Sequence, residues 1–294
     1  MANLEIMPDS SEVVRHDTPG IGLYIRRGQL SDFPDHRATC HWHNDLEFIH
    51  ILSGEMDYAI DGDTVSLREG DSLFVNSRRL HYGFGPQHGE CAFLCILVES
   101  SLLTANERLY RELLAPFVSP DGPAWYVERS GGRGRLGEHL QAVWRLKEGG
   151  GRSYPLRAVA ELLTAVTELL DTETVSPVGN AAADPSLAAV KKMVAFIQLH
   201  FTEPLTLDAI AGSAAVSRST CCRLFRSYVH TSPGQFLTDY RLRVSRDLLV
   251  RTPRPVTEIA AASGFDDPAY FTRQFRSRYG CTPRDYRKTH PAEA

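Results

Sequence analysis

The sequence predicts a multi-domain α+β protein with an N-terminal β-barrel, flanking helices and an all-helical C-terminal domain. From about residue 20 to residue 98, short apolar alternations are separated by turn residues, with no helical stretch between them, a pattern typical of a sandwich or barrel. Helical spacing of apolar residues begins near Ser101. A phrase then occurs twice, as Arg223-Leu224-Phe225-Arg226-Ser227 and, 50 positions later, as Arg273-Gln274-Phe275-Arg276-Ser277. The last third therefore contains a duplicated unit.

We divide the chain into four segments. Residues 1–100 form the barrel, residues 101–171 a helical region, residues 172–186 a linker, and residues 187–290 the duplicated helical domain. The linker is polar, rich in alanine and contains prolines, as flexible connections between domains often are. With 294 residues, the chain is long enough for two separate cores.

Six apolar alternations predict the strands of the barrel, at residues 21–25, 47–52, 56–60, 64–67, 72–75 and 92–98. Asp61-Gly62 lies between two of them and is a strong signal for a two-residue hairpin turn. Apolar residues at i, i+3 and i+4 predict helices over residues 101–117, 134–147 and 155–171. A run of helices follows the linker.

Charge is distributed unevenly between the two halves. Residues 185–294 contain 16 Lys and Arg against 9 Asp and Glu, a net +7, whereas residues 1–184 carry −11. A basic C-terminal domain favours a phosphate-rich partner. The six cysteines form no C-x-x-C pair, no signal-like stretch follows Met1, and no apolar run approaches the ~20 residues of a membrane span. These features predict a cytoplasmic protein without membrane contact.

Each copy of the repeat predicts two helices joined by a tight turn. In the first copy, Thr206 caps the first helix and Ser217 the second. In the second copy, Pro268 starts the second helix, where its missing N–H needs no partner. The inward faces of the two second helices carry Cys221, Leu224, Phe225, Phe271 and Phe275.

The outward faces of these helices predict contacts with double-stranded DNA. They carry Ser217, Arg218, Ser219, Thr220, Cys222, Arg223 and Arg226 in the first copy, and Pro268, Ala269, Thr272, Arg273 and Arg276 in the second. The second helix of a helix-turn-helix enters the major groove, where arginine can bind guanine, and the surrounding polar groups contact phosphates. A connecting helix over residues 236–249, roughly 21 Å long, can hold two such helices about one DNA turn apart, near ~34 Å.

The C-terminal residues resemble the AraC/XylS family of bacterial transcription regulators. The most specific stretch runs from Ile259 through Gly264-Phe265 and Phe271 to Phe275, and continues with Gly280-Cys281-Thr282-Pro283. The resemblance implies base-facing positions for Ser219, Cys222, Arg223, Pro268, Ala269, Thr272 and Arg273. The first copy departs from the family pattern twice, because His230 replaces a glycine and Cys221 replaces a leucine.

The N-terminal strands resemble a cupin barrel, the fold that regulators of this family use for effector binding. His41, His43, Glu47 and Gly54 match the H-x-H-x3-E-x6-G part of the first cupin motif. Gly70 through His81 matches the second motif in spacing. Asn76 replaces its proline and Arg78 its glycine, and Asp35 stands where a glycine is expected ahead of His41.

The resemblance leaves two interpretations of the barrel open. Read literally, His41, His43, Glu47 and His81 are the metal ligands of cupin enzymes, and alternation sends His41 and His43 to one face of a strand. Imidazoles with a carboxylate suit a divalent transition metal. Alternatively, these four residues, with Trp42 and Tyr58, bind a small organic effector, and no cofactor is required. His50 is predicted to be structural or on the surface.

The sequence therefore predicts a regulator that binds promoter or operator DNA and responds to an effector in its barrel, rather than an enzyme. The alternative is a metal-dependent cupin enzyme or metal sensor joined to a DNA-binding domain. The helices over residues 101–171 resemble the dimerisation element of the family, which implies a homodimer. An activator of this kind would also contact RNA polymerase.

Overall fold

The computed structural model describes residues 11–18, 20–85, 89–104, 106–119, 122–131, 135–171 and 185–289, without the side chain of residue 34. The chain divides into two compact units, Met1–Pro185 and Ser186–Ala294. The first contains all the strands of the described segments and the second is helical, so the predicted fold class is confirmed. Residues 172–184 of the predicted linker lie outside the described residues.

Seven strands form the N-terminal barrel: β1 Leu23–Gln29, β2 Leu46–Ile60, β3 Asp63–Arg68, β4 Ser72–Val75, β5 His81–Phe84, β6 Cys91–Val98 and β7 Trp125–Glu128. They pair in the order β1-β6-β2-β4-β7, and β3 and β5 also pair with β2. All pairings are antiparallel. The first part of the long strand β2 pairs with β4 and β6, and its last part pairs with β3 and β5. β2 thus belongs to two sheets and joins them.

β2 joins two stretches that the sequence predicts as separate strands. The register shifts between Ile51 and Ser53, which marks a bulge, and bulges of this kind bend a strand without ending it. Gly54 follows with φ of 79°, and a Cβ there would lie 2.1 Å from the carbonyl oxygen of Glu90. The glycine of the first cupin motif therefore lets β2 turn from one sheet into the other.

The helices of the first unit cover one outer face of the barrel. They are α1 Glu107–Leu109, a π-helical turn Tyr110–Leu114, α2 Ala115–Val118, α3 Leu136–Gly149 and α4 Tyr154–Leu170, after 3-10 turns at Leu30–Asp32, Pro34–His36 and Ser100–Leu103. Leu23, Ile25 and Phe48 pack outward against α3 and α4 in one core. Ile49, Ile51 and Tyr58 belong to a second core, inside the barrel.

The second unit consists of α5 Pro185–His200, α6 Leu207–Ser213, α7 Arg218–Tyr228, α8 Pro233–Arg251, α9 Val256–Ala262, α10 Pro268–Tyr279 and α11 Pro283–Thr289. Pairs α6–α7 and α9–α10 are the two predicted helix-turn-helix units. The hydroxyls of Thr206 and Ser217 accept hydrogen bonds from the amides of Ala209 and Thr220, so both predicted caps are confirmed. The connecting helix α8 is longer than predicted, because Ser232 caps it and Pro233 starts it.

Three further elements differ from the sequence prediction. β5 and β7 were not predicted, since each has only four residues and gains its pairing from distant parts of the chain. The helix predicted over residues 101–117 is interrupted, because Asn106 accepts hydrogen bonds from the amides of Arg108 and Leu109 and starts a new helix. None of the described helices is long and apolar enough to cross a membrane.

Candidate functional site: the recognition helices and the barrel cavity

The first recognition helix, α7, presents the predicted polar face. Cys221, Leu224 and Phe225 are buried. The seven predicted DNA-contacting residues all keep exposed surface: Ser217, Arg218, Ser219, Arg223 and Arg226 are exposed, and Thr220 and Cys222 are half-buried. The exposed Arg218 guanidinium lies 3.5 Å from the exposed Asp208 carboxylate, a contact that contributes little in water.

The second recognition helix, α10, repeats this arrangement around an aromatic core. Phe271 and Phe275 are fully buried, whereas Pro268, Ala269, Arg273 and Arg276 are exposed and Thr272 is half-buried. The carboxylate of Asp267 caps the helix by accepting a hydrogen bond of 2.8 Å from the amide of Ala269. The first turn of α10, which the resemblance assigns to base contacts, is thus fixed in place and open to solvent.

Two groups of arginines in the second unit differ in their contacts. Arg241 donates to the carbonyl oxygens of Phe201 and Glu203, and Arg287 donates to those of Leu249 and Arg254, so these two hold turns of the domain. In contrast, the guanidinium groups of Arg223, Arg226 and Arg276 form no ion pair or hydrogen bond with other described residues. The two recognition helices therefore carry three arginines whose positive charge is available to a polyanion.

In the barrel, main-chain pairing brings the predicted histidines together. His41 and His81 form an isolated antiparallel bridge, with N–O distances of 3.1 and 2.8 Å in the two directions. Alternation along the chain then places His43 on the same side as His41. One ring nitrogen of each histidine lies within 4.8 Å of the corresponding atoms of the other two, and all three side chains are buried.

Each imidazole is oriented by a main-chain carbonyl. The Nδ1 atoms of His41, His43 and His81 lie 2.6, 3.0 and 2.8 Å from the carbonyl oxygens of Thr39, Asp45 and Arg79, respectively. A carbonyl only accepts hydrogen bonds, so each Nδ1 carries the proton and Nε2 is the atom that faces the centre. This is how proteins commonly hold metal-ligating histidines.

Glu47 faces this histidine group from β2. Its Oε2 atom lies 3.0 Å from His81 Nε2 and 3.9 Å from His43 Nε2. Burial by itself raises the pKa of Glu47, but the neighbouring imidazoles lower it to about 2, whereas burial lowers the pKa of His43 to about 4. The carboxylate is therefore anionic and at least one imidazole is neutral near pH 7, as metal ligation requires.

A second carboxylate, that of Glu12, reaches the centre from the N-terminal segment. The Glu12 amide donates to the carbonyl oxygen of Trp42 at 2.8 Å, and Glu12 Oε2 lies 3.3 Å from His41 Nε2. Burial lowers the pKa of His41, but the Glu12 carboxylate reverses this and raises it overall. No motif or periodicity predicts Glu12 as a site residue, because it precedes the first strand and its position depends on main-chain pairing with Trp42.

A cavity of about 320 Å³ adjoins the histidine group inside the barrel. Its polar lining includes Glu12, Tyr24, His41, Glu47, Tyr58 and Cys95, and its apolar lining includes Leu30, Ile49, Met56 and Phe93. A mixed lining of this kind, with a few polar groups, is typical of small-molecule sites. Burial and the nearby Glu47 carboxylate raise the pKa of the Cys95 thiol well above its ordinary value, so it is a neutral wall of the cavity.

Comparisons with known proteins agree with the domain predicted for each half of the chain. The Helix-turn-helix domain family matches residues 210–289 and the Cupin domain family matches residues 33–97. Over 291 residues, the chain is 26% identical to the transcriptional regulator YdeC of Bacillus subtilis, covering 98% of this chain and 99% of that protein. The regulator GbdR of Pseudomonas aeruginosa is 34% identical over 102 residues, which are 35% of this chain and 28% of that protein.

The regulatory protein SoxS of Escherichia coli is 32% identical over 98 residues, which are 33% of this chain and 92% of SoxS. The chain belongs to the AraC family. It is a DNA-binding transcription regulator with an N-terminal cupin domain, as its sequence predicts. In this AraC-family regulator the predicted barrel residues occupy three kinds of position. His41, Glu47 and Tyr58 line the cavity, and His43 and His81 complete the histidine group. The half-buried Trp42 is not among the lining residues of the described segments.

Residues outside the predicted site also line the cavity. Tyr24 alternates with the outward-facing Leu23 and Ile25 on β1, and Cys95 alternates with the outward-facing Ile96 on β6. Strand alternation could have identified both residues. When alternate residues of a strand form an apolar outer face, the residues between them point inward.

Proposed function

We propose that this AraC-family regulator binds its effector in the barrel at a divalent transition metal held by His41, His43, His81 and Glu47. The observation that carries the proposal is the orientation of the three imidazoles, with every Nδ1 bonded to a carbonyl and every Nε2 directed to one centre. The relatives named above are transcriptional regulators, which supports a sensing role over the alternative of a metal-dependent enzyme.

The donor atoms themselves support a metal. With the proton of each ring on Nδ1, the buried Nε2 atoms of His43 and His81 and the buried Oε2 atom of Glu47 are acceptors that face one another without a donor among the described residues. Leaving buried polar atoms unsatisfied is costly, and a cation at this point would satisfy all three. When bound, the metal would supply a Lewis-acidic anchor for an oxygen or nitrogen atom of the effector.

The adjoining cavity supports an organic effector of modest size. Tyr24 and Tyr58 offer aromatic walls with polar tips, and Leu30, Ile49 and Met56 offer apolar surface. An effector changes DNA occupancy only if it binds one arrangement of the protein more tightly than another. Glu12 is the contact through which occupancy of the centre would reach the N-terminal segment, because Glu12 and a metal require the same His41 nitrogen.

Elemental analysis of the full-length protein, purified without chelator, tests the metal. We expect about one equivalent of Fe, Mn, Ni, Co or Zn, and its loss in His43→Ala and Glu47→Ala. The matched control is His200→Ala, a histidine of α5 whose Nδ1 lies 3.0 Å from Glu203 and which belongs to neither group of possible metal ligands in the described segments. A substoichiometric metal content that is equal in the unmodified protein and the three variants would contradict the proposed metal site. A thermal-shift screen of small metabolites, with and without chelator, then tests the effector.

DNA binding of the same protein is tested on duplexes from its own promoter regions. We expect specific binding that weakens steeply as salt is added. A plot of the logarithm of the association constant against the logarithm of the salt concentration should have a negative slope of about 0.9 for each phosphate that the protein neutralises. Equally tight binding to every duplex would contradict sequence-specific recognition, as would absence of binding at low salt.

The outer face of α4 supports a homodimer. Leu156, which is 75% exposed, forms a heptad-spaced stripe with Ala160, Leu163 and Thr167. In an antiparallel pair of α4 helices centred between residues 161 and 162, Leu156 meets the partner's Thr167 and Ala160 meets the partner's Leu163. The same register brings Arg152 opposite the partner's Asp171, so the stripe complements itself in shape and charge.

Sedimentation equilibrium tests this pairing. Leu163→Glu places a charge at the centre of the stripe, and we expect the dimer to dissociate at concentrations where the unmodified protein is dimeric. Leu113→Glu, on the π-helical turn Tyr110–Leu114 and 56% exposed, is the matched control and should leave the dimer intact. A monomeric unmodified protein, or loss of the dimer only in the control, would contradict the α4 pairing.

A further inference from the structure

A second cavity lies on the outside of the barrel, between α3 and the strands β1, β2 and β6. Its volume is about 430 Å³. Gly137 lets α3 approach the sheet, since a Cβ there would lie 2.8 Å from His50 Cε1. Further along the helix, Gln141, Trp144 and Arg145 form one wall of the cavity. It is therefore an opening between the helix and the sheet.

His50 closes one end of this opening and is rigidly held. Its Nδ1 atom lies 2.9 Å from Ser72 Oγ and its Nε2 atom lies 2.8 Å from Gln141 Nε2. The amide nitrogen of Gln141 only donates, so His50 Nε2 accepts and His50 Nδ1 carries the proton. Burial lowers the pKa of His50, in agreement with a neutral ring. His50 thus has the structural role that was one of its two predicted roles. With Gln141 it forms a fixed polar pair at the edge of the cavity.

Two arginines give this cavity its charge. Arg27 enters from β1 and Arg145 from α3, and neither guanidinium forms an ion pair or hydrogen bond with another described residue. Arg27 also lines the interior cavity, whereas Arg145 lines the outer cavity alone. Only one acidic side chain, Glu69, is among the lining residues of the described segments. An excess of positive charge is unexpected in a half of the chain that carries −11. The half-buried Trp144 adds aromatic surface.

We propose that this outer cavity, on the α3 side of the sheet, is a second ligand site for a small carboxylate with an aromatic or apolar body. A guanidinium group matches a carboxylate through two parallel hydrogen bonds. Trp144 takes the apolar part, as aromatic side chains do in other small-ligand sites. His50 and Glu47 both belong to β2, so the site shares a strand with the histidine group of the interior.

Isothermal titration of the full-length protein with benzoate tests this site. We expect saturable binding of benzoate and at least tenfold weaker binding of the neutral isostere benzamide. Arg145→Gln should weaken benzoate binding about tenfold, because Arg145 lines the outer cavity and not the interior one. Arg108→Gln, an exposed arginine on α1 that lines neither cavity, should bind benzoate as the unmodified protein does.

Two further measurements separate this site from the barrel interior. Binding of benzoate should persist in His43→Ala, even if that variant loses metal. Loss of benzoate binding in His43→Ala with retention in Arg145→Gln would place the ligand in the barrel and overturn the proposal. Absence of saturable binding, or equal affinity for benzoate and benzamide, would overturn it as well. An unchanged melting temperature of Arg145→Gln shows that the variant is folded.

Discussion

The two helix-turn-helix units follow one plan but meet the same backbone requirement with different residues. In the turn before the recognition helix, Ala215 has φ of 54° and Gly264 has φ of 81°. After the recognition helix, His230 has φ of 56° and Gly280 has φ of 72°. The second unit thus uses glycine at both left-handed positions and the first unit at neither. Because a left-handed conformation costs a residue with a side chain about 1–2 kcal/mol, the first unit carries strain that the second avoids.

The cores of the two units differ in the same direction. In the second unit, the Phe275 ring lies 5.6 Å from that of Phe271 and 4.5 Å from that of Tyr279. In the first unit, the small Cys221 occupies the position that corresponds to Phe271. Large aromatic side chains bury more surface and fix their neighbours more firmly. From this comparison we expect the second helix-turn-helix unit to be the more rigid of the two.

The largest expected effect is that of Gly264→Ala. A Cβ at this position would lie 2.3 Å from the carbonyl oxygen of Phe201 and 3.0 Å from Thr202 Cα, so the clash adds to the cost of the left-handed backbone. We expect the second unit to lose about 3 kcal/mol or more of stability. Hydrogen exchange measured by mass spectrometry resolves α9–α10 from α6–α7 and provides the measurement.

Gly280→Ala is the matched control for this substitution. Gly280 has a similar φ, but no atom lies within 4 Å of a Cβ built there. Only the backbone cost remains, about 1 kcal/mol. Equal losses in Gly264→Ala and Gly280→Ala would show that the contact with Phe201 does not constrain the turn.

The next effect concerns DNA recognition by Arg223 and Arg273. If each arginine reads a base, alanine at either position should cost about 1–3 kcal/mol and relax specificity at one part of the operator. Because α10 is the more firmly held helix, we expect Arg273→Ala to abolish discrimination at its position and Arg223→Ala to weaken discrimination more gradually. Binding of the variants to a panel of single-base operator mutants provides the measurement. Uniform loss on all sequences, with a salt dependence reduced by about one phosphate, would instead identify a phosphate contact.

The sequence was informative where a local rule decides the structure. The caps Thr206 and Ser217 and the inward faces of α7 and α10 follow from helix periodicity and capping, and all are found as predicted. The glycine positions of the cupin motifs are also decided locally, by the backbone conformation that they require. Asp35 and Arg78 replace glycine there, yet they adopt φ of 56° and 60°. The backbone conformation of the motif is therefore kept even where its residue is not.

The sequence was uninformative where contacts between distant segments decide the structure. Glu12 lies beside His41 because its main chain pairs with Trp42. Strand β7 exists because it pairs with β4, although its four residues are all half-buried and show no alternation. The outer cavity depends on how closely Gly137 lets α3 approach His50. None of these contacts leaves a periodic pattern in the segment concerned.

A smaller effect is expected from the caps of the two recognition helices. Ser217→Ala removes the acceptor for the Thr220 amide, and Asp267→Ala removes the acceptor for the Ala269 amide. Each should cost its own unit about 1 kcal/mol, measured by hydrogen exchange of the α7 or α10 amides. Asp267→Asn keeps a capping oxygen and is the control that should retain most of the stability. A loss in Asp267→Asn as large as in Asp267→Ala would assign the effect to the charge of Asp267 near the helix N-terminus.

The smallest expected effect is a gain from Ala215→Gly. Glycine removes the left-handed cost at this exposed turn position, but it also increases the freedom of the unfolded chain, which opposes the gain. The balance should stabilise the first unit by about 0.5–1 kcal/mol. Slower hydrogen exchange in α6–α7, with no change in α9–α10, is the expected observation. If the strain of the first unit serves adaptation to its target, the same variant should discriminate more sharply among operator half-sites bound by α7. A stabilised first unit with unchanged discrimination would show that the two units differ in stability alone.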